Sequence, residues 1–196
     1  MRKTIRVVLG MVILAAPARG MANELANDLA ARRKAALASI ESRDLKRHAF
    51  LLAEDTYEGR EAGSRGGYAA GAYLVREFAR LELKPAGDSG TYFQSFGNGY
   101  RNLLGMLPGT DPQLQHQVIV VGAHYDHVGY GNASNSYGPT GYIHNGADDN
   151  ASGTSALVEL AEAFRHCPPR RTILFALWDA EEKGLLGSKH WTQYPT

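Results

Sequence analysis

Apolar and polar positions along the first half of the chain follow helical spacing. Between residues 23 and 54 the apolar side chains recur every three to four positions, and the pattern restarts after Ser42-Arg43-Asp44, where Ser and Asp suit a helix start. A second helix is predicted over residues 68–83. It ends before Lys84-Pro85, because the residue before a proline disfavours the helical conformation.

The later part of the chain carries strand patterns. Residues 91–96 alternate like a strand, and residues 103–107 are another candidate. Residues 118–121 and 172–178 are continuous apolar runs, which are typical of buried, central strands. A helix is predicted between them over residues 151–165, and a last helix near Leu185. Strand, helix and strand in this order predict an α/β sheet covered by helices.

Two connections are rich in glycine. Residues 55–67 lack the Gly-Lys-Ser/Thr ending of a phosphate loop, so turn geometry accounts for their glycines. Residues 129–145 form a long connection of Gly, Asn, Ser and Tyr. A loop of that length in a compact domain is usually functional or disordered.

Length and charge limit the class of protein. The chain has 196 residues, with 44% hydrophobic and 21% charged side chains, which suits one globular domain. Residues 1–22 hold four basic side chains and no acid, so 17 of the 21 Lys and Arg remain beyond them, against all 20 Asp and Glu. Beyond residue 22 the net charge is therefore 17 − 20 = −3. A negatively charged chain does not support nucleic-acid binding, which normally shows a basic patch.

The first 22 residues have the pattern of a secretory signal. A basic start, Met1 to Arg6, precedes an apolar stretch from Val7 to Ala16, and cleavage is predicted after Ala18 or Ala22. That stretch is too short to span a hydrocarbon layer of about 30 Å. We therefore expect export to the periplasm or the medium, with no membrane attachment after cleavage.

Three polar clusters point to metal chemistry. His124-Tyr125-Asp126 and Glu181-Glu182 each follow an apolar strand, and Gly146–Gly153, with Asp148 and Asp149, precedes a helix. Sites in open α/β sheets form at the carboxyl ends of strands. The single cysteine, Cys167, excludes a zinc-thiolate cluster, so His and carboxylates would have to hold any metal.

The residue types predict a two-zinc hydrolase. One acid of Asp148 and Asp149 would bridge the metals, and His124 would ligate with Asp126 accepting its other N–H. One of the two glutamates would bind metal and the other would act as general base. Taken singly, His124 also fits a hydrogen-bonded core histidine and Glu181-Glu182 a solvated helix start. Calcium is a weaker alternative because the spacing is not that of an EF-hand, and a serine hydrolase is weaker still because no Gly-x-Ser-x-Gly occurs.

At these residues the sequence resembles the di-zinc aminopeptidases of metallopeptidase family 28, of the bacterial leucyl aminopeptidase type. The matching segments are residues 120–127, 146–153 and 181–188, with Glu58-Gly59-Arg60 and Asn102-Leu103-Leu104-Gly105 further upstream. The resemblance implies an α/β fold with a mixed, largely parallel central β-sheet flanked by helices, the zinc-peptidase or phosphorylase/hydrolase-like fold. It also implies two Zn²⁺ ions and peptide substrates with a free amino terminus.

The resemblance implies a role for each site residue. His124 would bind one zinc, Asp126 would orient His124, and Asp149 would bridge both metals, with Asp148 only a neighbour. Glu181 would be the general acid/base and Glu182 a ligand of the other zinc.

The chain also departs from the family pattern. Members have two more metal ligands, an Asp and a His, on later parts of the fold; here no Asp follows Asp179, and His190 lies where the family has no ligand. We therefore expect residues 23–196 to be the front part of a single catalytic domain, incomplete at its C-terminus and inactive as given, with an apolar sheet edge exposed. Other possibilities are the same fold with another reaction, that of a glutaminyl cyclase or a carboxypeptidase, and a metal-poor binding protein.

Overall fold

A computed structural model describes residues 17–135 and 138–196 of the chain, which form five α-helices and five strands. The helices are α1 (Pro17–Ser39), α2 (Ser42–Leu52), α3 (Arg65–Arg80), α4 (Gly153–His166) and α5 (Leu186–Gln193). The strands are β1 (Lys84–Pro85), β2 (Phe93–Phe96), β3 (Tyr100–Leu107), β4 (Val118–His124) and β5 (Thr172–Trp178). Most of the predicted signal, residues 1–16, lies outside the described residues, and residues 17–22 begin α1.

The strands form one mixed sheet flanked by helices, which confirms the predicted α/β class, but the described sheet is not largely parallel: only one of its four pairings, β4 with β5, is parallel. The order is β1-β3-β5-β4, with β2 also paired to β3. β4 and β5 are parallel and joined through α4, as the strand-helix-strand pattern predicts. The other described pairings, β1 with β3, β2 with β3 and β3 with β5, are antiparallel. The parallel part of the described sheet is therefore the part that leads to the polar clusters.

The main core lies between the sheet and the helices on one of its faces. Leu103, Phe175 and Leu177 from the sheet pack with Phe78 of α3 and Val158 of α4, and all five are fully buried. Burying side chains of this size stabilises the fold by about 1.5–3 kcal/mol each. This packing holds α4 across β4 and β5, and so sets where the turn before α4 meets the strand ends.

The prediction that residues 118–121 form a central, buried strand is wrong. β4 lies at the edge of the described sheet, and Val118, Ile119 and Val120 are 54%, 47% and 41% exposed. Burial of both strand faces requires cover on each side, and among the described residues β4 pairs only with β5. The expected apolar sheet edge is therefore present.

The first two helices are separated where the sequence predicts, but the residue at the capping position differs from the predicted one. α1 ends at Ser39 and α2 begins at Ser42, with Glu41 as the capping position and no side-chain cap. The apolar residues of α1, among them Leu25 and Leu37, are largely exposed. No helix in residues 17–135 or 138–196 has both the length and the apolar character needed to cross a membrane.

A buried arginine joins three connections of the chain. Arg60 is 0% exposed and donates to the carbonyl oxygens of Leu52 (2.7 Å), Tyr125 (3.0 Å), Asn145 (2.7 Å) and Gly146 (2.8 Å). The planar guanidinium has five N–H groups in a fixed geometry, which suits several carbonyls at once. Leu52 ends α2, Tyr125 begins the segment that follows β4 (the β4 extension), and Asn145 and Gly146 lie at the end of the long loop. Arg60 therefore fixes these three segments relative to one another.

The glycine before this arginine is required by geometry. Gly59 has φ +68°, and a Cβ there would lie 2.5 Å from the carbonyl oxygen of Gly129 and 2.6 Å from that of His144. The approach of these backbones leaves no room for a side chain. The family-like segment 58–60 thus has a packing role.

Replacement of Arg60 by lysine should destabilise the protein. A lysine keeps the charge but has one nitrogen, which cannot reach all four carbonyls, so we expect the free energy of unfolding to fall by about 3 kcal/mol, the effect of one or two lost charge-assisted hydrogen bonds. Urea denaturation measures this change. Arg65→Lys is the matched control. The Arg65 side chain is 86% exposed in its ion pair with Glu58, so this substitution should leave the midpoint of urea denaturation unchanged. Equal midpoints for all three proteins would contradict the role of Arg60.

Candidate metal centre

The three polar clusters meet at the carboxyl ends of the two parallel strands. In the parallel register His124 lies opposite Trp178, the last residue of β5. Glu181 and Glu182 follow β5 after two residues, and the irregular turn Ala147–Ser152 precedes α4. The strand ends and the turn therefore face one another, as expected for a site in an α/β sheet.

One ligand atom from each cluster lies in a small volume. Donor atoms of His124, Asp149 and Glu182 are all within 4.8 Å of one another. Nε2 of His124 is 3.0 Å from Oδ1 of Asp149. The side chain of His124 is 15% exposed and that of Asp149 is 64% exposed, so the group has a buried and an open side. These are the three residues that the family resemblance implies as metal ligands.

The end of β4 is bonded to the start of α4. The carbonyl oxygen of His124 accepts hydrogen bonds from Thr154 Oγ1 at 2.8 Å and from Asn150 Nδ2 at 3.3 Å. Asn150 Oδ1 in turn accepts from the backbone N–H of Gly153 at 3.0 Å. Asn150 and Thr154 thus hold the turn that carries Asp149 against the strand that carries His124.

The turn with the two acids depends on a glycine at its start. Gly146 has φ +55°, and a Cβ there would lie 2.3 Å from the carbonyl oxygen of Asp149, 2.5 Å from Cδ2 of His127 and 2.7 Å from Nη2 of Arg60. Asp148 is exposed, and its carbonyl accepts from Ser152 Oγ. Only Asp149 of the two acids belongs to the ligand group.

Asp126 has different partners from those predicted. Its carboxylate Oδ1 is 3.7 Å from Nδ1 of His124, beyond hydrogen-bond distance, and that nitrogen is 3.2 Å from the backbone oxygen of Asp126 instead. The carboxylate is fully buried and accepts the backbone N–H groups of Glu181 at 3.0 Å and of Glu182 at 3.4 Å. Asp126 therefore orients the turn with the two glutamates.

Burial and neighbouring charges shift the pKa values in this region. Burial raises the pKa of Glu181, and the negative charges of Glu182, Asp126 and Asp149 add to that rise against the opposing effect of His124. Burial lowers the pKa of His124, but the carboxylates around it outweigh this and raise the net value.

Arg60 lies close enough to the site to interact with its acids. Burial lowers its pKa to about 10, while Asp126, Asp149 and Glu182 act in the opposite direction. A buried positive charge beneath these carboxylates offsets part of their mutual repulsion.

Asp179, the first acid after β5, has a structural position. Its carboxylate accepts the backbone N–H groups of Arg101 at 2.8 Å and of Ala180 at 3.0 Å. Burial raises its pKa to about 6. Asp179 thus links the end of β5 to the start of β3 and does not belong to the ligand group.

Two residues at the site have no predicted role. Arg60 supports the turn from below, and His127 places Nδ1 2.7 Å from Oε1 of Glu182. The side chains of His127 and Glu182 are 14% and 21% exposed. Both residues lie in family-like segments, and His127 is a further polar side chain directly after the apolar strand, which is the signal that could have identified it.

The donor atoms suit zinc better than calcium. One imidazole nitrogen with two carboxylates is a usual zinc set, whereas calcium takes six to eight oxygen ligands. The group is partly buried and open on the side of Asp149, which leaves space for water or substrate. Of the residues that the structure describes, only this group meets the geometric condition for three clustered ligands.

Comparison with known proteins gives a consistent result. Residues 102–196 match the sequence pattern of Peptidase family M28. The chain is 37% identical over 97 residues to a probable glutamate carboxypeptidase of Arthroderma benhamiae, covering 47% of this chain and 11% of that protein. It is 36% identical over 95 residues to aminopeptidase YwaD of Bacillus subtilis, covering 48% and 18%.

The fold is similar to that of a solved structure. LapA of Legionella pneumophila superposes with a TM-score of 0.63 at 25% identity, covering 83% of this chain and 41% of that one. The chain thus spans between about a tenth and two fifths of the length of these proteins. With the matching pattern, the mixed sheet and the ligand group at its edge, residues 102–196 belong to Peptidase family M28.

Proposed function

We propose that this chain is the metal-binding part of an exported, zinc-dependent aminopeptidase. The observation that carries the proposal is the convergence of His124, Asp149 and Glu182 within 4.8 Å. These three side chains would hold the metal: Asp149 would be shared between two zinc ions, with His124 a ligand of one and Glu182 a ligand of the other. The similarity to an aminopeptidase and the imidazole in the donor set support the reaction and the metal.

The protein residues have distinct tasks in peptide hydrolysis. When bound, zinc would act as a Lewis acid and would lower the pKa of the water that it binds. Glu181 removes a proton from the attacking water and delivers it to the leaving amine nitrogen. Burial raises the pKa of Glu181, which makes its carboxylate a stronger acceptor for the proton of the attacking water. Asp126 keeps Glu181 and Glu182 in fixed relation through their backbone N–H groups.

Zinc binding should depend on Asp149 and not on its neighbour. Asp149→Asn removes a bridging charge, so we expect zinc affinity to fall at least about 100-fold, since even indirect supports of a metal site contribute 10- to 100-fold. Equilibrium dialysis with Zn²⁺ measures this affinity. Asp148→Asn is the matched control and should bind zinc as the unchanged chain does. Equal losses in both variants would contradict the assignment of Asp149.

Glu181 should be needed for hydrolysis but not for zinc. In the natural protein, Glu181→Gln is expected to lower kcat about 100- to 10,000-fold, the usual contribution of a general acid/base, while the zinc content stays unchanged. Glu182→Gln, next to it, should lower both. An unchanged rate in Glu181→Gln would refute its role.

The products distinguish the possible reactions on this fold. An aminopeptidase releases the first residue of a peptide with a free amino terminus and leaves the acetylated peptide intact. Release of the last residue would identify a carboxypeptidase, the activity named for one similar protein. Loss of amino-terminal glutamine without a released amino acid would identify a glutaminyl cyclase. Mass spectrometry of the products separates the three.

The proposed export predicts a defined amino terminus. The basic start and the short apolar stretch of residues 1–22 support cleavage by a signal peptidase. Amino-terminal sequencing of the natural protein from the periplasm or the medium should begin at Arg19 or Asn23. A protein that keeps Met1 and remains in the cytoplasm would contradict export.

A further inference from the structure

His127 is held in place by two separate segments. Its backbone N–H donates to the carbonyl oxygen of Arg60 at 3.2 Å, and it forms a parallel bridge with Glu61. Its ring lies against Gly146, where a Cβ would come within 2.5 Å of Cδ2. The imidazole therefore has a defined position, and its side chain is only 14% exposed.

The ring is directed at a ligand of the candidate centre. Nδ1 of His127 is 2.7 Å from Oε1 of Glu182, the short distance of a charge-assisted hydrogen bond. Because an ionised carboxylate only accepts, Nδ1 carries the proton. Within the described residues, this is the one hydrogen bond made by the Glu182 side chain.

We infer that His127 is a positioning residue of the metal centre. By donating Nδ1–H to one oxygen of Glu182, it restrains the rotation of the carboxylate and leaves the other oxygen available to bind a metal ion. This inference rests on the proposed function, because it assumes that Glu182 is a ligand. Hydrogen-bond partners of metal ligands typically contribute 10- to 100-fold to metal affinity.

A packing role is the alternative, since the same ring fills the space above Gly146. The two roles depend on different parts of the side chain. Asparagine carries an N–H close to the position of Nδ1 but lacks the rest of the ring. Phenylalanine keeps a flat ring against Gly146 but has no donor. A positioning role therefore requires the asparagine variant to function better than the phenylalanine variant, and a packing role requires the reverse.

The test uses metal binding and spectroscopy on the full chain. Zn²⁺ affinity is measured by competition with a chelator, and the visible absorption of bound Co²⁺ reports ligand geometry. We expect His127→Phe to weaken Zn²⁺ binding about 10- to 100-fold and to change the Co²⁺ spectrum. His127→Asn should retain the spectrum and bind within a few-fold of the unchanged chain. His116→Phe, at an exposed histidine, is the matched control and should alter neither.

Each outcome has a definite meaning. If the phenylalanine variant binds as tightly as the unchanged chain with the same spectrum, or if both variants lose affinity equally, the positioning role is wrong while zinc binding by the unchanged chain still stands. If the unchanged chain binds no zinc, the proposed function fails and this inference fails with it. Thermal unfolding of the metal-free variants identifies any that do not fold. If His127→Phe does not fold, weakened binding by His127→Asn would overturn the inference.

Discussion

The burial of one guanidinium group determines how the site is supported. A charge at 0% exposure is stable only if its donors are satisfied, and Arg60 meets this condition by bonding to four backbone carbonyls from α2, the β4 extension and the long loop. The three connections must therefore come together before the arginine can be buried. Once together, they form the base of the ligand group, where Asp126, Asp149 and Glu182 offset the cost of burying the charge.

Much of the fold is predictable because the local pattern of apolar residues indicates which segments are buried. The run Thr172–Trp178 predicts β5 with the bounds that it has in the structure, and the helix between the parallel strands differs by two residues at its start and one at its end. The burial of β4 is not predictable in this way. An apolar strand is buried only when other elements cover it, and that depends on the order of strands in the sheet. β1 has two residues, too few for any periodicity.

The site shows the same division between local and distant information. His124, Asp149 and Glu182 are predictable as neighbours because strand ends and helix starts share one edge of the sheet. The partners of Asp126 are not predictable from the sequence. Residues two apart on a strand suggest a contact with His124, whereas the Asp126 carboxylate accepts the backbone N–H groups of Glu181 and Glu182. The contact of His127 with Glu182 joins residues 55 positions apart and leaves no local pattern.

The shared attachment of the two glutamates to Asp126 has a consequence for protein engineering. Their backbone positions are set together by one carboxylate, so the spacing between Glu181 and Glu182 belongs to the main chain and not to either side chain. Exchanging Glu for Asp at one position would shorten one reach by a methylene group while the other remains where it is. Altering Asp126 would move both at once. In a redesign of this edge of the sheet, the side-chain lengths of Glu181 and Glu182 can therefore be changed separately, whereas their backbone positions can only be changed together.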